Sequence, residues 1–108
     1  KFIKMKIQIN SDKNIQITER FEKYFSEKIN LALKRFEDNI TRIEIHLSDQ
    51  NARKTGPDDL QCKIEARLKD LKPVIATGKS NTKEKALDEA LKKMKASLDK
   101  VTGKLKAK

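Results

Sequence analysis

Leu60-Gln61-Cys62-Lys63-Ile64-Glu65-Ala66-Arg67-Leu68-Lys69 alternates apolar and polar residues without a break, the period of a strand with one face buried and the other in water. Upstream, Thr41-Arg42-Ile43-Glu44-Ile45-His46-Leu47 repeats the pattern, with Ile43, Ile45 and Leu47 pointing one way and Arg42, Glu44 and His46 the other. Downstream, Asp70-Leu71-Lys72-Pro73 turns the chain into a shorter strand, Val74 to Gly78, with Pro73 at its beginning where a missing amide donor does least harm. The three can pair as an antiparallel meander. Ser48 to Asp59 contains Gly56-Pro57 and no apolar period, and reads as a mobile loop joining two of them.

Further out, Ile3, Met5, Ile7 and Ile9 alternate with Lys4, Lys6 and Gln8 to predict an opening strand. Thr18 can cap a helix in which Phe21, Phe25, Ile29, Ala32, Leu33 and Phe36 recur at three- and four-residue spacing, so a first helix is expected from about Thr18 to Phe36. Asn81 with Glu84 three residues on approximates a capping box, and Leu87, Ala90, Leu91, Met94, Leu98 and Val101 form the stripe of a second helix from about Thr82 to Val101. Gly103 permits a stop, which leaves one domain over residues 1–102 and a short basic flexible tail over 103–108. The order β-α-β-β-β-α predicts an α+β fold, a four-stranded sheet with two helices packed on its apolar face. Pattern alone leaves open whether the first strand lies beside the second or at an edge.

The chain has 108 residues, enough for one core, and carries 26 Lys and Arg against 16 Asp and Glu for a net charge of +10. Such a surplus favours a polyanionic partner through counterion release, without distinguishing RNA from DNA or acidic lipid. No apolar run is long enough to cross a bilayer, and the opening residues lack a signal peptide's apolar block, so a soluble cytoplasmic protein with no membrane partner is expected. The lone Cys62 falls in an apolar strand position and reads as a small buried hydrophobe. One histidine, with no CxxC, HExxH or Gly-rich phosphate loop, argues against an enzyme, a small-molecule substrate, a metal site or a cofactor. His46 falls on the polar face of its strand, where solvent or RNA is its expected neighbour.

RNA-recognition sheets of the βαββαβ kind stack bases on aromatics of their open face. Here that face carries Lys, Glu, Arg and Gln, and Phe21, Phe25 and Phe36 lie on the core stripe of the first helix, so backbone-directed binding by Lys and Arg is the mode expected. Residues 79 to 108 contain ten Lys against four acidic residues. On the second helix Lys83, Lys93 and Lys100 form one flank, with Lys85, Lys92 and Lys95 further around. Lys23, Lys28, Lys34 and Arg35 of the first helix would extend them into one basic surface if the helices lie side by side.

Three stretches carry a resemblance: Met5 to Asn10 with Asn14 to Glu19, then Lys28 to Leu47, and finally Ala86-Leu87-Asp88 through Lys93-Met94 and Leu98. Together they resemble the short ribosome hibernation factors, the family that includes the hibernation-promoting factor and the ribosome-associated translation inhibitor. The resemblance implies a βαβββα domain that binds the small ribosomal subunit and its ribosomal RNA near the decoding centre, occluding messenger and transfer RNA, and that is a monomer away from the ribosome. Lys28 and Lys93 match basic positions of the family's helices and are implied as phosphate contacts. Lys23, Lys34, Arg35, Lys83, Lys92 and Lys100 are added as RNA-binding neighbours from the charge pattern. Where family members often have Tyr in the first turn of the second helix, this chain has Glu84; where they have a basic residue one turn after Lys93, it has Ala96; and the often basic position 22 is Glu22. Two alternatives remain at this stage, a generic structured-RNA-binding domain and a protein-interaction regulator of a sigma factor.

Overall fold

The computed structural model describes residues 5–12, 15–49 and 60–106, with side chains as far as Gly103. Of the loop expected over 48–59, Ser48 and Asp49 instead continue the second strand, paired with Gln61 and Leu60 of the next one, and 50–59 lie outside the described residues, as do 1–4, 13, 14, 107 and 108. The elements are β1 (Lys6–Ser11), α1 (Glu19–Ala32), a 3₁₀ turn over Lys34–Phe36, β2 (Ile40–Asp49), β3 (Leu60–Leu68), β4 (Val74–Ser80) and α2 (Lys83–Lys106). The predicted order, β-α-β-β-β-α, is the order found. The four strands form one sheet in the order β1-β2-β3-β4. β1 lies parallel to β2, joined through α1 as a parallel pair requires, while β2–β3 and β3–β4 are antiparallel. β1 is therefore both beside the second strand and at an edge, which settles what hydropathy left open.

Alternation along β3 places Leu60, Cys62, Ile64, Ala66 and Leu68 in the core, beside Ile43, Ile45 and Leu47 of β2. The two helices cover this apolar face by different means. α2 lies close to β4 because the facing residues are small: Ala86 and Ala90 meet Gly78, with Ala76 also in the core. A Cβ on Gly78 would collide with the Ala86 carbonyl and the Ala90 amide, so only glycine admits this approach. α1 stands off on bulkier side chains, Phe21, Phe25, Ile29 and Leu33, with the Phe21 and Phe25 rings 4.1 Å apart.

Helix ends agree with the sequence in one place and differ in three. The Thr18 hydroxyl accepts from the Phe21 amide at 3.1 Å, the expected cap. α1 closes at Ala32, and Phe36 reaches the core from the following 3₁₀ turn, which tightens the chain toward β2. On α2 the capping oxygen belongs to Thr82, which accepts from the Lys85 amide at 3.1 Å, while the Asn81 side chain accepts from the Ser80 hydroxyl at 3.3 Å. Thr82 sits three residues before the Lys85 donor, the spacing a cap needs. Nor does Gly103 stop the helix, which runs on to Lys106. The left-handed geometry of a glycine stop is absent there, and buried Thr102 ties the last turns down through a 2.8 Å hydrogen bond to the Leu98 carbonyl. Asp70, at φ 60°, takes the left-handed position in the β3–β4 turn.

Candidate nucleic-acid interface

The stand-off of α1 leaves a seam between the helices, bridged at three levels. Near the start Lys83 of α2 reaches across, with Nζ 4.1 Å from the Phe21 ring centroid and 3.3 Å from the Gln16 carbonyl it donates to. In the middle Lys28 pairs with Asp88 and donates to the Tyr24 hydroxyl at 3.4 Å. At the far end Arg35 pairs with Asp99 at 2.7 Å while its guanidinium lies 4.5 Å from the Phe36 ring. Residues 21, 28 and 35 thus meet 83, 88 and 99 in the same order, so the helices run side by side in one direction.

The hydrogen bond to the Asp88 carboxylate holds the Lys28 ammonium above its ordinary value, against a smaller opposing effect of burial. Lys28 is therefore firmly cationic at neutral pH, yet its charge is shared with a carboxylate. Beside it opens a cleft of about 280 Å³ with Ala32 and Leu91 in its walls and Lys28, Lys92, Lys95 and Asp88 at its rim. Two or more ammonium groups around a shallow apolar floor can grip phosphate oxygens while the floor takes the edge of a sugar.

The structure divides the eight predicted residues into groups. Lys28, Arg35 and Lys83 line the seam, each engaged with a partner. Lys23, Lys34, Lys92 and Lys100 are exposed and, among the described residues, have no carboxylate within ion-pair distance. Lys93 lies on the other flank of α2, paired with Glu89 at 3.6 Å, and Glu89 in turn accepts from the Lys79 amide of β4 at 3.4 Å. Lys28 and Lys93 are thus not brought to one spot, and they face opposite sides of α2. The sequence reading missed the acidic partners Asp88 and Asp99, and it missed Tyr24, which lies one residue off the Phe21/Phe25 core stripe and is 43% exposed.

The open face of the sheet contrasts with the seam. Arg42 bonds to Gln8 and pairs with Glu44 at 3.1 Å, and Arg67 pairs with Glu44 at 3.6 Å and Glu65 at 3.3 Å. Its arginines are compensated in place, and among the described residues it displays no Phe or Tyr. His46 lies on this face with Nε2 3.2 Å from Asp12 Oδ1, and no group of three or more His, Cys, Asp or Glu that could hold a metal occurs among the described residues. Cys62 is fully buried and its thiol is pushed up to about 12 by burial, which leaves no thiolate for chemistry at neutral pH. No helix among the described residues is long and apolar enough to cross a membrane.

Residues 7–106 match the family described as Sigma 54 modulation protein / S30EA ribosomal protein. No curated protein matches the chain in sequence. Among solved structures, a ribosomal subunit interface protein from Coxiella burnetii superposes with a TM-score of 0.74 at 18% identity, covering 92% of this chain and 99% of that one. The N-terminal domain of Protein Y from Thermus thermophilus superposes at 0.64 and 16% identity, with the same coverage. At these identities the likeness establishes the fold.

Proposed function

We propose, because the chain belongs to the sigma 54 modulation protein / S30EA ribosomal protein family, that it is a ribosome-associated factor that silences translation. On this reading it binds the small subunit near the decoding centre through ribosomal RNA and holds the space that messenger and transfer RNA would occupy. The observation that carries the reading is the seam between two parallel helices, where Lys28, Lys92 and Lys95 surround a cleft and Lys23, Lys34, Arg35 and Lys83 extend the cationic surface, with Lys100 exposed on the flank of α2 beyond it. Such a surface reads backbone and shape, and it needs no catalytic group.

Co-sedimentation with vacant ribosomes and with separated subunits, in the presence of excess duplex RNA, tests the reading. Saturable binding near one copy per small subunit, resistant to duplex and lost in the Lys28→Glu/Lys92→Glu variant, is expected, whereas Lys93→Glu alone, on the far flank of α2, should retain most of the binding. Affinity should fall about tenfold for every few phosphate contacts as salt rises several-fold. Binding that duplex erases would replace the reading with generic RNA binding, and a salt-independent interaction would favour a protein partner.

A further inference from the structure

Tyr24 is the sole tyrosine of a chain without tryptophan, and among the described residues it is the aromatic that the fold leaves in the open. Packing does not require it there: its neighbours Phe21 and Phe25 are in the core, while Tyr24 lies on the helical face beside the seam. Its ring lies 5.6 Å from the Lys28 ammonium and 6.0 Å from the Phe25 ring, tilted at 50°, so one side rests on the core. Tyr24 also lines a cavity of about 560 Å³ together with Thr18, Arg20, Phe21, Lys83 and Glu84.

The chemistry of that cavity is not that of a bare phosphate site. Two of its six lining residues are aromatic, Glu84 supplies a hydrogen-bond acceptor that repels an anion seated in the middle, and the cations Arg20 and Lys83 stand in its walls. Lys83 is pinned by its contacts to the Phe21 ring and the Gln16 carbonyl, and Arg20 has no ion-pair partner among the described residues. An apolar, π-faced centre with one acceptor and flanking cations suits a nucleobase whose phosphates lie to either side. A paired base cannot reach it, because its faces are occupied by its neighbours in the stack.

We propose that this cavity binds one unpaired nucleobase of an RNA strand, stacked on Tyr24, with the adjoining phosphates held by Arg20, Lys83 and Lys28. The site deepens the ribosome-binding reading and rests on it for the identity of the RNA, while the stacking itself can be tested without ribosomes. It gives a protein that otherwise reads backbone shape a means of preferring RNA with exposed bases over a continuous duplex.

Because Tyr24 is the only tyrosine, its fluorescence reports directly on the site. The full chain is titrated with a single-stranded oligoadenylate and with a duplex of equal charge. Quenching of Tyr24 by the single strand and not by the duplex is expected. Stacking of one base implies that Tyr24→Ala weakens single-strand binding roughly 5- to 150-fold. Duplex affinity should be unchanged in that variant, and Tyr24→Phe, which keeps the ring and removes the hydroxyl bonded to Lys28, should bind within about twofold of wild type. Equal quenching by both ligands, or undiminished single-strand binding by a folded Tyr24→Ala, overturns the proposal. Protein that pellets with ribosomes but is not quenched refutes the stacking site alone. Protein that is quenched but does not pellet refutes the ribosome reading alone.

Discussion

Replacing Gly78 and Gly103 by alanine, one at a time, should move stability in opposite directions. At Gly78 the new Cβ meets the Ala86 carbonyl and the Ala90 amide, with Glu89 Cβ at 2.9 Å. Two of these obstacles are helix backbone and cannot rotate away. Restoring ordinary contact requires α2 to retreat from β4 by about 1 Å, a gap that forfeits roughly a quarter to half of the dispersion attraction along the contact. Overpacking of well-filled cores costs about 1–3 kcal/mol, and a clash with backbone belongs at the upper end, so a loss of about 3 kcal/mol is expected. Against a total stability on the order of 5–15 kcal/mol, that lowers the melting temperature by more than about 10 °C. At Gly103 an added Cβ meets nothing within 4 Å, and the residue lies in an exposed turn of α2. There alanine should stabilise by about 0.5–1 kcal/mol, the ordinary gain in a helix. Urea unfolding followed by far-ultraviolet circular dichroism measures both variants. A Gly78→Ala cost under about 1 kcal/mol would refute the backbone-contact account, since flexible neighbours would then be absorbing the methyl.

The cap assignment is tested by paired substitutions: Thr82→Ala should cost about 1 kcal/mol, and Asn81→Ala, which removes only the bond from Ser80, less than about 0.5. A larger loss at Asn81 would return the cap to the position that spacing suggested. Cys62 links stability to alkaline pH. Its thiol titrates near 9.0 when unfolded and is raised to about 12 in the fold. The raised value means the contribution is fully present below pH 9 and is lost between pH 9 and 12, with a slope approaching about 1.4 kcal/mol per pH unit. Urea midpoints should therefore fall less steeply above pH 9 in Cys62→Ala than in the wild type, whatever the variant's starting stability. Parallel pH dependences would show that the thiol reaches solvent.

The alternation in β2, β3 and β4 was legible because half-burial writes itself into period 2, and each of these strands lies where its apolar residues point. The position of β1 was not, since parallel pairing with β2 depends on the path of α1 across the sheet and leaves no local mark. Gly78 was equally silent: its role is set by Ala86 and Ala90, which approach it only after the sheet and α2 have packed. The basic residues of the interface could be counted, but their partners could not. Lys28 and Asp88 are 60 positions apart, and Arg35 and Asp99 are 64 apart. Tyr24 was passed over because it neighbours a strong core stripe, and only the helical rotation of about 100° between adjacent residues separates a buried Phe25 from an exposed ring.

The pairing pattern determines which part of the surface presents charge to a phosphate. On the open sheet face Glu44 pairs with both Arg42 and Arg67 and Glu65 pairs with Arg67, so an incoming anion meets arginines that are already compensated. At the seam Asp88 and Asp99 each occupy one cation, while Arg20 and Lys23 of α1 and Lys34 just beyond it have no carboxylate within ion-pair distance among the described residues. On α2, Lys85, Lys92, Lys95 and Lys100 are exposed with no ion-pair partner among the described residues, as are Lys6, Lys63 and Lys79 of the sheet. The two helices are then unequal partners. α2 supplies a row of unpaired lysines that draws in an RNA backbone, and α1 supplies the aromatic ring and the shared cation Lys28 that select what the backbone carries. Substitutions on α2 should accordingly change the salt dependence of binding most, and those around Tyr24 the choice between single strand and duplex.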